Sequence, residues 1–149
     1  MRLRSRKPNV GVDSYLDGNR LEVARSLGAT KVVNSSDAQA VERIMALTNT
    51  AGVDVAIEAV GRPETFGLCQ ELVAAGGHIA NVGVHGESVQ LHLETLWSRN
   101  ITITTRLVAT VSTPMLLNVL RSKKIDPTLL ITHRFKLDDI EQACDLFSH

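Results

Sequence analysis

The sequence has 149 residues, and its 16 basic and 16 acidic side chains give a formal net charge of zero. That length fits one domain burying about two thirds of its unfolded surface. Its 44% hydrophobic and 21% charged residues exclude a disordered or fibrous chain. Balanced charge argues against a nucleic-acid partner, which would need a concentrated basic surface. The one basic cluster, Arg2, Arg4, Arg6 and Lys7, reads either as a solvated terminus or as a targeting or contact tail. No apolar run approaches the roughly 18 residues of a bilayer span, and the start lacks the apolar stretch of a secretory signal, so a cytoplasmic location is expected. Cys69 and Cys144 are too far apart for a disulfide framework or a four-ligand zinc site, and both are expected as buried reduced thiols.

In chain order, residues 9–13 (NVGVD) read as a short buried strand ending in an acid. Leu21, Ala24 and Leu27 then recur at helical spacing, with Gly28 where a left-handed C-terminal residue is wanted. KVVN (31–34) is a second strand. Ser36 with Gln39 suggests a capping box for a helix carrying Val41, Ile44, Met45 and Thr48 on its inner face. VDVAIEAV (53–60) is a nearly continuous apolar run of the kind found in parallel sheets covered on both faces. Pro63 suits the first turn of a helix burying Phe66, Cys69, Leu72 and Val73, and Gly76 and Gly77 precede a strand at 78–84 (HIANVGV).

After Gly86 the rhythm changes to VQLHL (89–93), a short helical stretch around Leu96 and Trp97, and a last strand at 101–108 (ITITTRLV). Thr113 and Pro114 open a helix through Leu120. Asp138 with Glu141 opens another, bearing Ile140, Ala143, Cys144 and Phe147 at one face. The repeated β-α alternation predicts a doubly wound, mainly parallel sheet in one domain spanning 1–149.

Ligands of such sheets sit beyond the carboxyl ends of the strands, which singles out Asp13, Gly61 with Arg62, and Gly83. Asp13 can accept hydrogen bonds from ribose hydroxyls, which favours NAD over NADP, or can simply cap a turn. Gly61 and Gly83 serve either close approach to a ligand or turn formation. No two glycines are separated by a single residue, so the pyrophosphate fingerprint G-x-G-x-x-G is absent. His78, His85 and His92 recur every seven residues, but Gly83 and Gly86 break any helix that would align them as metal ligands.

With these residues laid out, five blocks resemble successive segments of the medium-chain, zinc-containing alcohol dehydrogenases. They are NRLEVARSLGATKVVN (19–34), GVDVAIEAVGRPETF (52–66), AAGGHIANVGVHG (74–86), NITITTRLVATVSTPMLL (100–117) and ITHRFKLDDIEQA (131–143), in family order and spacing. The resemblance implies a truncated, Rossmann-like NAD(P)-binding domain lacking its first, glycine-loop strand and lacking the catalytic zinc domain. The parent reaction it implies is hydride transfer between an alcohol and NAD, with zinc polarising the alcohol oxygen. Carried over, Asp13 and Arg20 resemble the adenosine-ribose positions. Gly61 and Arg62 resemble the exit near the nicotinamide ribose. Val82, Gly83, Val84, Thr105 and Leu107 resemble positions whose backbone groups hold the carboxamide. The family acid, counted back from Arg20, falls at Tyr15 rather than Asp13, and the family often has Asp at Ala109 and Tyr at Cys144.

The expected protein is therefore a defective fragment that binds NAD weakly or has lost it, holds no zinc and has no catalytic residue of its own. The rival expectation is a free-standing dimerisation or interaction module, pairing with itself through the edge strand at 101–108 or with a full-length dehydrogenase. Because unpaired buried backbone groups are costly, the gap left by the first strand is expected to close, either by setting 9–13 directly beside 53–60 or by a strand swapped from a second copy.

Overall fold

Strands and helices alternate from the first described residue. The computed structural model describes residues 9–13, 18–107 and 110–148. The basic cluster at 2–7, Tyr15 and Ala109 lie outside these residues. The elements are β1 (Val10–Asp13), α1 (Gly18–Ser26), β2 (Lys31–Asn34), α2 (Ala40–Leu47), β3 (Val53–Glu58), α3 (Pro63–Leu72), β4 (Val73–Asn81), α4 (Leu93–Leu96) and β5 (Thr102–Thr105). Each strand pair is parallel, as helical crossovers require, and the α/β, Rossmann-like class holds. The described residues form two compact units, one within Met1–Ala109 and one within Thr110–His149. No described helix is long and apolar enough to cross a membrane.

The strands do not form one closed sheet. β1 pairs with β2, and β3, β4 and β5 form a second sheet in that order, with no β1–β3 pairing among the described residues. The expected placement of 9–13 beside 53–60 is thus corrected. The penalty behind that expectation applies only to buried backbone. Val12, Val55 and Ile57 are exposed, and strands as wet as these can give their outer hydrogen bonds to water. The same exposures correct the reading of 53–60 as a strand covered on both faces.

Side chains join what backbone hydrogen bonds do not. Val33 of β2, Ala40 and Ile44 of α2 and Leu72 of α3 form one buried cluster, against which Val53 packs. Val53 also packs on the second cluster, made by Ala56, Phe66, Cys69, Val73, Ile79 and Leu96. The two sheets are therefore held by helix packing across one aliphatic seam.

Several boundaries move for local reasons. Ser36 and Gln39 do not form a capping box: Gln39 is the N-cap of α2 without a side-chain bond, and its amide donates to Asp37 Oδ1 at 3.0 Å. α3 starts at Pro63, where the missing N–H costs nothing. It then runs into β4 with no intervening loop, Val73 being both its C-cap and the first strand residue. Arg99 seals this junction, its guanidinium donating to Gln70 O at 3.3 Å and to Val73 O. A cation at a helix C-terminus suits the helix dipole. β4 ends at Asn81 and β5 at Thr105, so residues 82–84 and 106–107 are strand exits rather than strand.

In the second unit, α5 (Thr113–Arg121) opens with Pro114 in its first turn, and Asp126 caps a short 3-10 turn by accepting from Thr128 N. Asp138 lies inside a 3-10 turn at Leu137–Asp139 and does not cap α6 (Ile140–Ser148). Ile140 and Phe147 are exposed, and so is Cys144, which corrects its expected burial.

Candidate functional site

The carboxyl ends of β4 and β5 lie side by side because the strands pair in parallel through Asn81↔Thr105. Their exits border an open cleft of about 570 Å³, lined by Asn81, Val82, Gly83, Val84, Thr105, Arg106 and Leu107. All five residues assigned by resemblance to the carboxamide are brought together here. Within this stretch the amides of Val82 and Gly83 both donate to Glu58 O, at 2.8 and 3.2 Å. What residues 82 and 83 can offer a ligand is therefore carbonyl oxygen.

Beneath the cleft sits a group that the sequence reading did not single out. Glu58, the last residue of β3, is 1% exposed. Its Oε1 accepts from Val60 N (2.9 Å), Gly61 N (2.8 Å) and Thr65 Oγ1 (2.6 Å). Its Oε2 lies 3.4 Å from His85 Nε2. Burial pushes this carboxyl up, but the hydrogen bonds from Thr65, Gly61 and Val60 and the imidazole of His85 outweigh it. The group is held below its ordinary value of 4.5.

His85 Nε2 also lies 2.8 Å from Asn81 Oδ1, while Asn81 Nδ2 donates to Gly83 O at 3.1 Å. The second contact orients the Asn81 amide and leaves its oxygen toward the imidazole. Facing two acceptors, Nε2 must carry the ring proton. Neither the buried Nδ1 nor Glu58 Oε2 has a hydrogen-bond partner among the described residues, so the carboxylate meets Nε2 as a close charged contact and the ring proton goes to Asn81. The edge of Phe66 packs against the ring, with centroids 6.0 Å apart.

Gly61 and Gly83 are glycines because these exits touch. Gly61 has φ 86°, and a β-carbon there would lie 2.2 Å from Val84 O. One on Gly83 would lie 2.2 Å from Glu58 Oε2 and 2.3 Å from Gly61 N. Intrachain contact is thus sufficient reason for both, ahead of any ligand approach. Arg62 is exposed as the N-cap of α3 and does not line the cleft.

The other candidate end is not assembled with the cleft. Asp13 closes β1 and its carbonyl accepts from Ser35 N at 2.9 Å, while Arg20 is exposed on α1. The segment between them, residues 14–17, lies outside the described residues. The described residues contain no group of three His, Cys, Asp or Glu side chains able to hold a metal. No donor set among the described residues therefore fits zinc.

The local signal for Glu58 was present: an acid following the apolar run Val55–Ile57, three residues before a glycine. His85 and Asn81 carried none, since only the parallel pairing of β3 with β4 brings them to it.

Comparison with known proteins then matches residues 10–121 to the zinc-binding dehydrogenase family. An alcohol dehydrogenase of Cupriavidus necator is 36% identical over 140 residues, 90% of this chain and 38% of its own length. An NADP-dependent isopropanol dehydrogenase of Thermoanaerobacter brockii is 35% identical over 130 residues, 83% of this chain and 37% of its own. Among solved structures, zinc dependent alcohol dehydrogenase 2 from Streptococcus pneumonia, in its apo form, superposes with a TM-score of 0.89 at 54% identity. That match covers 95% of this chain and 41% of the other. The chain spans well under half the length of each of these relatives.

Proposed function

The chain belongs to the zinc-binding dehydrogenase family, and from that premise we propose that its cleft is the nicotinamide half of a cofactor site of an alcohol-dehydrogenase-type oxidoreductase. The observation that carries the reading is the convergence of residues 82–84 and 105–107 on one cleft at the carboxyl ends of two parallel strands, where open α/β sheets bind their ligands. Carbonyl oxygens of the 82–84 exit accept from a carboxamide NH2, and the β5 exit closes the opposite wall. A bound nicotinamide would supply the hydride acceptor or donor for interconverting an alcohol and a carbonyl compound. Asp13 and Arg20 are assigned to the adenosine ribose, with NAD rather than NADP as the cofactor.

These 149 residues contain no G-x-G-x-x-G loop, and tested by themselves they are expected to forgo about three charge-assisted hydrogen bonds, at roughly 1.5 kcal/mol or more each. That lowers affinity on the order of a thousandfold. Titration of the full chain with NADH and NADPH, followed by amide NMR, is expected to shift residues 82–84 and 105–107 with a dissociation constant well above the micromolar range and with NADH preferred. Absence of any shift at about 1 mM NADH, a concentration that reveals even weak sites, would overturn the reading.

A second reading, an interaction module, is favoured by the divided sheet. β5 is the outermost strand of its sheet, and β1 and β3 each have a partner strand on one side only among the described residues. Unpaired edges are templates for strand addition, and this reading makes the protein a homodimer through residues 101–108 or a partner of a full-length dehydrogenase.

A further inference from the structure

We infer that Glu58 is a positioning residue for the cleft: its carboxylate, through His85 and Asn81, fixes the orientation of the backbone at residues 82–84. The inference rests on the nicotinamide reading only for its functional consequence. The relay itself stands on geometry. One carboxylate oxygen gathers the amides of Val60 and Gly61 and the Thr65 hydroxyl, which shapes the β3 exit. The other faces His85 Nε2 at 3.4 Å. The negative charge on Oε2 favours a proton on that nitrogen, Nε2 places the proton on Asn81 Oδ1, and the Asn81 amide ends the chain on Gly83 O. Gly83 is a member of the cleft wall.

The order of donors and acceptors makes the relay directional. A carboxylate has only acceptors to present, so Nε2 must be the protonated nitrogen. Asn81 must then show oxygen to His85 and nitrogen to Gly83. A glutamine at position 58 could keep its oxygen toward Val60, Gly61 and Thr65, but its amide nitrogen would meet the Nε2–H donor to donor. His85 would escape by moving its proton to Nδ1. It would then lose the bond to Asn81 and release the Asn81–Gly83 contact. The carboxylate is thus required for its pattern of acceptors as well as its shape. A residue serving packing alone would tolerate the isostere.

The test uses the full chain and histidine-selective 15N NMR at about pH 8.5, above the ordinary imidazole range. Wild type is expected to show His85 as the Nε2–H tautomer. Glu58→Gln is expected to convert it to Nδ1–H, to displace the amide resonances of Gly83 and Val84, and to weaken NADH about tenfold, the scale of one lost orienting hydrogen bond. His85→Phe keeps an aromatic ring against Phe66 and removes the donor. It is expected to displace the same two amides, and the double variant should lose no more NADH affinity than either single one, because both cut one relay. An Nδ1–H tautomer in wild type would overturn the inference. So would a Glu58→Gln protein with unchanged His85 tautomer and unchanged Gly83 and Val84 amides, or additive losses in the double variant. Should Glu58→Gln fail to fold, the wild-type tautomer and His85→Phe decide. Should NADH shift nothing while the tautomer and amide changes appear, the nicotinamide reading fails and the positioning role stands.

Discussion

Cys69 and Glu58 sense each other inside the core: burial first, and then the negative charge of Glu58, push the Cys69 thiol up to about 11. Cys144 is exposed on α6. At about pH 8 roughly one Cys69 in a thousand is thiolate, which makes it inert to alkylation. Iodoacetamide followed by peptide mass spectrometry is expected to label Cys144 rapidly and Cys69 only after denaturation. Equal labelling of both in the native protein would show that the Phe66–Cys69–Ile79 cluster is open.

The depressed carboxyl of Glu58 ties stability to pH. Its folded value lies below the ordinary 4.5, so the unfolded chain binds the proton first. The stabilisation is fully present above the ordinary value and is lost as pH falls through the folded one. Urea midpoints measured from neutral pH downward are expected to fall more steeply in wild type than in Glu58→Gln. Parallel curves would remove Glu58 as a source of acid sensitivity.

The contact between Gly61 and Gly83 predicts a contrast among glycines. Gly83→Ala drives a β-carbon into the Glu58 carboxylate and the Gly61 amide, and is expected to cost about 2–4 kcal/mol in chemical denaturation. Gly67, inside α3, has nothing within 4 Å of where a β-carbon would go. Gly67→Ala is expected to stabilise by about 0.5–1 kcal/mol, since helical alanine loses less conformational freedom. A neutral Gly83→Ala would mean that the two exits move independently.

Division of the sheet should be visible in amide exchange. β4 is paired on both sides, whereas β1 and β2 form a two-stranded sheet of the kind that is marginal alone. Amides of Ile79 and Ala80 are expected to be the slowest to exchange, with those of Val12 and Val33 opening earlier. If copies pair through residues 101–108, light scattering gives a dimer mass that Thr104→Lys, a charge placed on the edge strand, reduces to a monomer. A wild type that is monomeric at high concentration would end the dimer reading.

The alternation of strands and helices was legible because apolar periodicity and glycine punctuation act locally. Strands at 10–13, 31–34 and 53–58 and the proline-led helix at 63 follow from neighbours within a few residues. The special status of Gly61 and Gly83 was legible too, but its cause was not, since it is a contact between residues 22 positions apart. Glu58 left a local trace, but its role was hidden for the same reason: it depends on His85 and Asn81, reached through the neighbouring strand. The division of the sheet is not legible locally, because the cost of an unpaired strand edge depends on how wet it is, and only the folded chain leaves Val55 and Ile57 exposed.

The passage from α3 into β4 has no loop, and the extra residues that β4 carries against β3 lie in the irregular stretch between Val73 and His78. From His78 to Asn81 the pairing with β3 and β5 is regular, with Ile79 buried and His78 turned outward. A single residue added between His78 and Ile79 would reverse the parity on one side of it, turning Ile79 to solvent or His78 into the aliphatic cluster. One added between Leu72 and Val73 would pull the Gln70 and Val73 carbonyls away from the Arg99 guanidinium that holds them together. Point substitutions at these two places can be absorbed by repacking, whereas insertions cannot. Among related chains the length of the segment from His78 to Asn81 should drift far less than the residues that occupy it.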